Sequence, residues 1–324
     1  MSNTSWPIDA CVSILESSAT YSEALGRISS HMGRAVSGSA LRNAFLRQGV
    51  GSPMSHIANG DGSIDVQIDV DPDPPTSPAD LKTWVIWSDA HVPFEDKAAF
   101  DLVLEVGRTI RPYGTAIIGD FADLMTVSSH PKAPSDMRWQ LRDEVSAVNA
   151  RLDQIDSWGC KEKKYYKGNH CIRGQRMASK QAPGLYDSLD PTELFSLEKR
   201  GWESYKYQQH APVGDLWLVH DVGYSGKYAA HQNGALFGRS TIQGHTHHGS
   251  VVYFGDVFGN SYVSATLGWL GSKEAADYLA PIKVARSWQT SFGIAYEEPS
   301  GKTHFQLVPI IGGRCIVNGQ LFCA

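Results

Sequence analysis

The stretch Trp84-Val85-Ile86-Trp87-Ser88-Asp89-Ala90-His91 predicts a buried strand that ends in a small residue and then in metal-binding side chains. Four later stretches have the same design, a strand-like run followed by a polar motif. They are Thr115 to Asp120, Lys164 to His170, Leu216 to His220 and Ser240 to His247. Because polar groups at the carboxyl ends of strands in an α/β sheet share one crevice, we expect these motifs to converge.

The motifs supply the carboxylates, imidazoles and amide oxygen that two adjacent divalent metal ions need. In chain order they are Asp89-x-His91, Gly119-Asp120-x-x-Asp123, Gly168-Asn169-His170, His220 and Gly244-His245-Thr246-His247. A single buried aspartate or histidine is usually a satisfied structural group, so the prediction depends on all of them together. Imidazole suits transition metals, and a mixed oxygen and nitrogen set without thiolate predicts manganese first, with iron or zinc as alternatives.

The ordered series DxH, GDxxD, GNH, H and GHxH resembles the calcineurin-like metallophosphoesterase superfamily from Thr83 to Leu307. The resemblance implies an α/β fold with two packed mixed β-sheets flanked by helices. It also implies a ligand set shared between two ions. Asp89, His91 and His247 would bind one ion, Asn169, His220 and His245 the other, and Asp120 would bridge both.

This ligand set implies a metal-dependent phosphoester hydrolase, in which cations about 3.5–4 Å apart activate water and stabilise an in-line displacement. His170 would act beside the metals as a general acid or as a donor to the leaving oxygen. Asp123 would orient an imidazole from outside the ligand set. Arg173 would reach a substrate phosphate through its planar fork of donors, with a helix-surface role as the equal alternative.

Two positions depart from the family pattern. Cys171 stands where the family usually has Glu or Asp, and Asp221 stands where it usually has Gly. The first change removes a carboxylate that would tune the site, so we expect weaker activity or a shifted pH optimum. All the expected ligands are nevertheless present, which argues against an inactive relative.

Residues 1–50 predict a small all-α module that resembles a helix-turn-helix. Apolar residues recur at helical spacing in residues 10–15 and 21–29, Gly33 is a predicted stop, and Ser37 or Ser39 is a predicted N-cap for residues 38–47. The outer face of this last helix would bind DNA through the polar side chains of Arg42, Asn43 and Arg47. The alternative is a docking or packing module whose arginines are solvated.

Residues 51–80 predict an acidic linker, because they combine Gly, Ser and Pro with six aspartates and contain no lysine or arginine. The alternation Ile64-x-Val66-x-Ile68-x-Val70 indicates one short strand as an alternative. The first fifty residues have a net charge of +1 and residues 51–80 a net charge of −6, so residues 81–324 have no net charge. The catalytic domain, residues 81–324, therefore has no overall basic field that would attract nucleic acid over a long range.

Within that domain, residues 94–107 and 139–158 predict helices, and residues 250–255, 260–267, 293–297 and 303–310 predict strands. Residues 173–207 have the weakest pattern and directly follow the Gly168-Asn169-His170 loop, which indicates a cap that shapes the substrate site. Core packing is the favoured role for Trp269 and Trp288, with a place at the cleft as the alternative.

Composition predicts a cytoplasmic protein. No apolar run approaches the length of a membrane span, and the first residues lack the pattern of a secretory signal. The five cysteines show no CxxC spacing, which indicates reduced thiols. The oligomeric state is left open.

The favoured function is a phosphodiesterase or nuclease acting on nucleic acid or nucleotides. Pairings of a helix-turn-helix with these catalytic motifs occur in bacteriophage genomes, and this similarity favours a nucleic-acid substrate. One alternative is a phosphomonoesterase acting on phosphoprotein or small metabolites. Another is a non-catalytic DNA-binding protein whose second domain is a metal-stabilised scaffold.

Overall fold

The computed structural model describes residues 6–18, 21–47, 80–130, 132, 139–257, 259–272 and 287–324. The chain divides into two compact units, Met1–Asp73 and Pro74–Ala324. Apart from Asp80, the predicted linker and the alternation from Ile64 to Val70 lie outside the described residues. The predicted boundaries at residues 50 and 80 therefore stay predictions.

The first unit is helical, as the sequence predicts. Its helices are α1 (Ile8–Glu16), α2 (Tyr21–Met32) and α3 (Gly38–Arg47). They bury one apolar core, formed by Cys11, Leu15, Ala24, Ile28, Leu41 and Phe45. The hydroxyl of Ser37 accepts a hydrogen bond from the backbone N–H of Ala40, 3.2 Å away, which makes Ser37 the cap of α3.

The DNA-binding prediction concerns the outer face of α3. The backbone of Arg42, Asn43 and Arg47 belongs to that helix, but their side chains lie outside what the structure describes. Their role in binding DNA therefore stays a prediction.

The second unit alternates strands and helices in its first half and is rich in strands afterwards. Its helices are α4 (Lys97–Ile110), α5 (Leu141–Asp156), α6 (Arg173–Gln181), α7 (Pro191–Leu194) and α8 (Ala229–Phe237). Its strands are β1 (Lys82–Trp87), β2 (Gly114–Ile118), β3 (Glu162–Tyr166), β4 (Glu203–Tyr205), β5 (Ala211–Val213), β6 (Leu216–Val219), β7 (Thr241–Gln243), β8 (Ser250–Gly255), β9 (Ser261–Thr266), β10 (Ser291–Glu297), β11 (Thr303–Pro309), β12 (Arg314–Val317) and β13 (Gln320–Cys323).

These strands form two mixed sheets and one hairpin. The first sheet has the order β11-β10-β1-β2-β3-β4, the second has the order β5-β6-β7-β9-β8, and β12 pairs with β13. In the first sheet β1, β2, β3 and β4 are parallel, and in the second β6, β7 and β9 are parallel. The parallel strands bring their carboxyl ends to one edge of each sheet, where the polar motifs follow.

The two sheets pack face to face through an apolar core. Trp84 and Ile86 from β1 share that core with Leu218 from β6, Ile242 from β7 and Ala265 from β9. The opposite face of the first sheet is covered by α4 and α5, whose buried residues join a second apolar core with Val85 and Trp87. Helix α8 packs against β7, β8 and β9 of the second sheet. The predicted fold class, two packed mixed sheets flanked by helices with a small helical part before them, is confirmed.

Two predicted helices differ from the structure in detail. The predicted helix 94–107 is Lys97–Ile110, because the Asp96 side chain caps it through the backbone N–H of Ala99 at 3.1 Å. The predicted helix 139–158 is shorter at both ends. Residues 173–207, where the sequence pattern is weakest, contain α6, α7 and β4. No helix among the described residues is both long and apolar enough to cross a membrane.

The core on α5 generates a stability prediction. Leu152 is completely buried on α5 between the sheet and α4, so Leu152→Ala leaves a cavity and should lower the free energy of unfolding by about 2–5 kcal/mol. The matched control is Leu236→Ala on α8, where the side chain is 58% exposed and the change should stay within about 0.5 kcal/mol. Urea unfolding followed by tryptophan fluorescence measures both, since eight of the nine tryptophans lie in the second unit. Equal losses for the two variants would contradict this packing.

Candidate metal centre

The backbone at the polar motifs adopts an unusual conformation. Asp89, His91, Asp120, His245 and His247 all have positive φ angles, between 46° and 66°, although none is glycine. The left-handed region is unfavourable for such residues and costs on the order of 1–3 kcal/mol at each position. Five of the seven predicted ligands share it, so the fold holds these side chains against a local cost, which is typical of a functional site.

The first group of ligand atoms comes from Asp89, His91 and His247. The Nε2 atom of His247 lies 3.1 Å from Oδ1 of Asp89 and 3.4 Å from Nε2 of His91. The Nε2 atom of His91 lies 3.8 Å from the same Asp89 oxygen. Metal–ligand bonds of about 2.0–2.2 Å place neighbouring donor atoms roughly 3–3.5 Å apart, so the three atoms match a metal site with slight expansion.

The second group comes from Asp120, His220 and His245. The Nε2 atom of His220 lies 3.1 Å from Oδ2 of Asp120 and 3.0 Å from Oδ1 of Asn169. The amide oxygen of Asn169 thus joins the predicted set, and one ligand atom of His245 lies within 4.8 Å of the other two. The structure brings all the predicted partners of the second ion together.

In Asp89 and in Asp120, one carboxylate oxygen accepts a hydrogen bond from a backbone N–H group, and the other oxygen faces an imidazole. Oδ2 of Asp89 accepts a hydrogen bond from the backbone N–H of His245 at 2.9 Å, and the Ser88 hydroxyl also contacts it. Oδ1 of Asp120 accepts from the backbone N–H of His170 at 2.8 Å. The remaining oxygens, Oδ1 of Asp89 and Oδ2 of Asp120, face His247 and His220 respectively. The motifs therefore orient one another's ligands.

The glycines in the motifs leave room for this close approach. A Cβ atom on Gly119 would collide with the His220 ring, one on Gly168 with the Asp120 carboxylate, and one on Gly244 with Ser88. A larger residue at any of these positions would push a ligand or its neighbour out of place. The glycine of each motif is therefore required by packing against the site itself.

Asp123 organises the imidazoles from behind. Its Oδ1 atom lies 3.0 Å from Nδ1 of His91 and 2.8 Å from Nδ1 of His170. Arg173 donates to the other Asp123 oxygen at 2.9 Å. A carboxylate at Nδ1 fixes the proton there and leaves Nε2 of His91 free to bind a metal, as outer carboxylates commonly do. The carbonyl of Ile118 lies 2.9 Å from Nδ1 of His220 and has the same effect on that ring.

The charges of the site are strongly coupled. Burial raises the pKa of Asp89, but the imidazoles of His247 and His220 outweigh it and bring the pKa down to about 2. Burial lowers the pKa of His220, but Asp120 overrides it and raises the pKa to about 9. Burial lowers the pKa of His245, helped by the charge of His220, and it lowers the pKa of His247 against the opposing effect of Asp89. These two rings are neutral at pH 7, the form that binds a metal.

The donor set fits divalent transition metals. It combines carboxylate, amide and imidazole donors and contains no thiolate, since the only nearby cysteine, Cys171, is buried beside the hydroxyl of Tyr165 at 3.5 Å. Nδ1 of His247 is buried and has no hydrogen-bond partner among the described residues. Because no hydrogen bond holds Nδ1, the tautomer of His247 is set by the group that Nε2 binds.

The two departures from the family pattern have different surroundings. Cys171 lies in the apolar core with Phe121 and Tyr165, so no carboxylate occupies that position near the imidazoles. Asp221 accepts hydrogen bonds from the Tyr207 hydroxyl at 2.5 Å and from the backbone N–H of Gly223 at 2.9 Å. The negative charge of Asp221 also acts to raise the pKa of the nearby His245 ring, against the larger lowering effect of burial. Asp221 therefore gives the second group a carboxylate neighbour that the sequence pattern did not predict.

Two tryptophans close one side of the first group. The Trp269 ring stacks on His247 with centroids 5.1 Å apart, and Trp288 meets the same imidazole edge to face at 4.1 Å. Trp269 is buried, as core packing predicts, but both rings also wall the site. Sequence reasoning named both positions and favoured the core role, because no spacing signal links either residue to His247.

Arg173 lies beside the site, with its guanidinium already engaged. Besides the Asp123 carboxylate, it donates to the Asp123 carbonyl at 2.7 Å, and its Nη2 lies 3.1 Å from Nε2 of His170. The side chain thus contacts the residues predicted to act on the leaving group. Contact with a substrate phosphate stays a prediction.

Comparisons with known proteins give two sequence relatives, and the chain matches no protein-family model. The Gene 54 protein of Mycobacterium phage D29 is 26% identical over 255 residues, covering 74% of this chain and 98% of that protein. The Gene 54 protein of Mycobacterium phage L5 is 24% identical over 269 residues, again covering 74% and 98%. This chain is therefore similar to phage proteins along nearly their whole length.

Solved structures align more distantly. A single mutant of Vps29 from Entamoeba histolytica has a TM-score of 0.37 at 13% identity, covering 75% of this chain and 97% of the other. YfcE, a phosphoesterase from E. coli, has a TM-score of 0.32 at 14% identity, with 71% and 100% covered. A dimetal phosphatase from Danio rerio has a TM-score of 0.34 at 12% identity, with 70% and 94% covered. At these scores, the assignment of a metal centre depends on the side chains of this chain.

The bridging role predicted for Asp120 generates a test. Asp120→Asn replaces a charged oxygen between the two groups with a neutral amide, so the variant should lose most of its bound divalent metal and keep its fold. Metal analysis of the purified protein measures the loss, and circular dichroism checks the fold. Asp101→Asn is the matched control, since that carboxylate is 61% exposed and pairs with Arg151. Two ions per chain retained in Asp120→Asn would refute the bridge.

Proposed function

We propose that the chain is a calcineurin-like metallophosphoesterase, a hydrolase that cleaves phosphoesters with the help of two divalent metal ions. The observation that carries the proposal is the pair of donor groups at the carboxyl ends of parallel strands. Asp89, His91 and His247 would hold one ion, and Asn169, His220 and His245 the other. Asp120, whose Oδ2 lies 3.1 Å from Nε2 of His220, would bridge them, as the resemblance of its motif to the family implies.

Two such ions supply an activated water and positive charge for the developing transition state. The protein's own contribution begins with neutralising and orienting the ligands. His245 and His247 are held neutral, Asp89 and Asp120 stay ionised because their pKa values are lowered, and the outer oxygens of both aspartates are fixed by backbone N–H groups. We propose manganese as the ion, with iron or zinc as alternatives, from the mixed nitrogen and oxygen donors.

His170 is proposed to act on the leaving group. Its Nδ1 is held by Asp123, its Nε2 lies 3.9 Å from Oδ2 of Asp120, and the residue lines the pocket where a substrate would lie. Asp123 fixes Nδ1, so Nε2 is the atom through which His170 would act on the leaving oxygen. The Arg173 guanidinium lies 3.1 Å from Nε2 and has only donors, so it would turn to a phosphate oxygen when Nε2 itself donates.

Nucleic acid or nucleotides are the proposed substrate class, with cleavage of a phosphodiester. The support is the three-helix unit that precedes the catalytic part, since such units present polar side chains to DNA. A phosphomonoesterase acting on phosphoprotein or small metabolites is the second candidate, because the metal donors suit either ester. A purely DNA-binding protein is the third, and the complete donor set counts against it.

A chromogenic pair of substrates tests the reaction class. We expect bis(p-nitrophenyl) phosphate to be hydrolysed faster than p-nitrophenyl phosphate, in both cases only after manganese is added to chelator-treated protein. The absorbance of p-nitrophenolate measures both rates. A faster monoesterase rate would favour the second candidate. If neither ester is hydrolysed with manganese, iron or zinc, the proposal that the chain is a phosphoesterase is wrong.

The role of His170 is tested by removing its ring. His170→Ala should lose about 10²–10⁴-fold in turnover, the usual contribution of general acid catalysis, and keep its bound metals. The loss should be smaller for an ester with a very acidic leaving group, because such a group departs without a proton. His304→Ala is the matched control, since that histidine lies on β11, is 58% exposed and lines neither the donor groups nor the pocket. Equal losses with good and poor leaving groups would count against the acid role.

Binding of duplex DNA tests the amino-terminal module. Each phosphate contact adds about −0.9 to the slope of log affinity against log salt, and a module with four arginines should give a slope on the order of −2 to −4. Arg42→Ala with Arg47→Ala should flatten that slope, and fluorescence anisotropy measures it. If the double variant binds duplex as tightly as the unaltered chain at matched salt, the module serves docking or packing.

A further inference from the structure

A row of basic side chains follows the metal centre along α6. Arg173, Arg176 and Lys180 stand at positions i, i+3 and i+7, so they share one face of the helix, and all three line one pocket. We call these three residues the basic face of α6. At a rise of about 1.5 Å per residue, the face extends roughly 10 Å along the helix axis.

The pocket next to this face opens at the metal centre. Its volume is about 340 Å³, and its lining includes Asn169 and His170 at one end and Lys180 at the other. Lys132 lines the pocket as well, with its ammonium 2.9 Å from the carbonyl of Thr126. None of the described lining residues is an aspartate or a glutamate. The described lining of the pocket is therefore positively charged, although residues 81–324 have no net charge.

The wall facing the basic face is fixed by a buried carboxylate. Glu144 on α5 accepts hydrogen bonds from the backbone N–H of Met125 at 2.8 Å and from the hydroxyl of Thr126 at 2.7 Å. Met125 and Thr126 belong to a short 3-10 turn after β2, and the pocket lining includes Thr126 and Val127. The pocket therefore has a preformed wall.

Two of the three cations on the basic face are available to an anion. Arg173 is paired with Asp123, but Arg176 and Lys180 are exposed and form no ion pair within the part of the chain that the structure describes. Other basic residues of the second unit are neutralised by acidic partners. Lys163 pairs with Asp156, Lys167 with Asp190, and Arg200 with Asp153, each with an N···O distance of 2.6 Å.

The Arg176 side chain is also held in place. Its guanidinium lies 5.4 Å from the centre of the Tyr207 ring, and the Tyr207 hydroxyl donates to Asp221 at 2.5 Å. A stacked guanidinium keeps its donors free for phosphate oxygens while its plane rests on the ring. Asp221, the residue that departs from the family pattern beside His220, thus supports one of the pocket's cations through Tyr207.

We propose that the basic face of α6 binds the phosphates next to the scissile one in a single nucleic-acid strand. The inference rests on the proposed function, because it takes the scissile phosphate to lie at the metal centre. A row about 10 Å long that leads away from His170 exceeds what one phosphate needs, and suits successive phosphates along a strand. The positive charge of the basic face would attract the strand at short range, whereas residues 81–324 have no net charge to attract it at long range.

The experiment compares two substrates that differ in the number of phosphates. Thymidine 5′-(p-nitrophenyl) phosphate has only the scissile phosphate, and a short single-stranded oligothymidylate has flanking ones. Arg176→Ala with Lys180→Ala should lower the ratio of kcat/KM for the oligothymidylate to that for the single phosphate by about tenfold or more. The full-length chain is used throughout, so the amino-terminal module is the same in every variant.

Arg111→Ala with Lys302→Ala is the matched control. It removes the same two charges from exposed positions at the end of α4 and in the turn between β10 and β11, at the edge of the sheet opposite the metal centre. The control should leave the kcat/KM ratio unchanged. A second measurement, anisotropy of labelled oligothymidylate in chelator, reports binding without hydrolysis. The salt slope should become less negative by about 0.7 for each lost single-strand contact.

Each outcome decides one part of the proposal. A lower ratio and a flatter salt slope in the α6 variant alone would support the basic face as a strand-binding site. Equal effects in the α6 variant and its control would overturn it, as would an unchanged ratio. If the unaltered chain hydrolyses neither substrate, the proposed function fails, and the chelator measurement still decides whether the basic face of α6 holds a strand.

Discussion

The hydrogen bond from the backbone N–H of His245 to the Asp89 carboxylate ties the two sheets together at the site. Asp89 follows β1 of the first sheet, and His245 follows β7 of the second. The bond requires that Gly244 has no side chain, since a Cβ there would strike Ser88. Together with the contact of the His220 ring with the carbonyl of Ile118, it brings the carboxyl ends of the two sets of parallel strands to one place.

The left-handed backbone at the ligands follows from that convergence. A strand that continued in extended form past Asp89 or Asp120 would carry its next side chains away from the partner sheet. The positive φ angles turn the chain sharply at each motif, and the fold tolerates their cost because the surrounding cores are fully apolar. Buried aspartates next to imidazoles then settle the charges, with neutral His245 and His247 facing ionised Asp89 and Asp120.

Sequence reasoning predicted which polar side chains converge, because short motifs after apolar strands combine two independent signals, burial and chemistry. It missed α6, since the segment from Arg173 has a polar composition and its helical face points at a pocket rather than at a core. It could not predict that Arg173 pairs with Asp123, or that Asp221 meets Tyr207, because these contacts join residues far apart in the chain. The spacing of residues along the sequence predicts contacts within one helix or strand. It does not predict side-chain contacts such as these between different elements.

Glu144 shows how the architecture prepares the pocket in advance. Its carboxylate is buried and secures the turn after β2 to α5, so the turn is ordered by folding itself. Ordering a loop when a ligand arrives costs conformational entropy and weakens association. An anion that enters beside His170 meets a wall that folding has already ordered. Binding of the anion therefore does not lose free energy to the ordering of that wall.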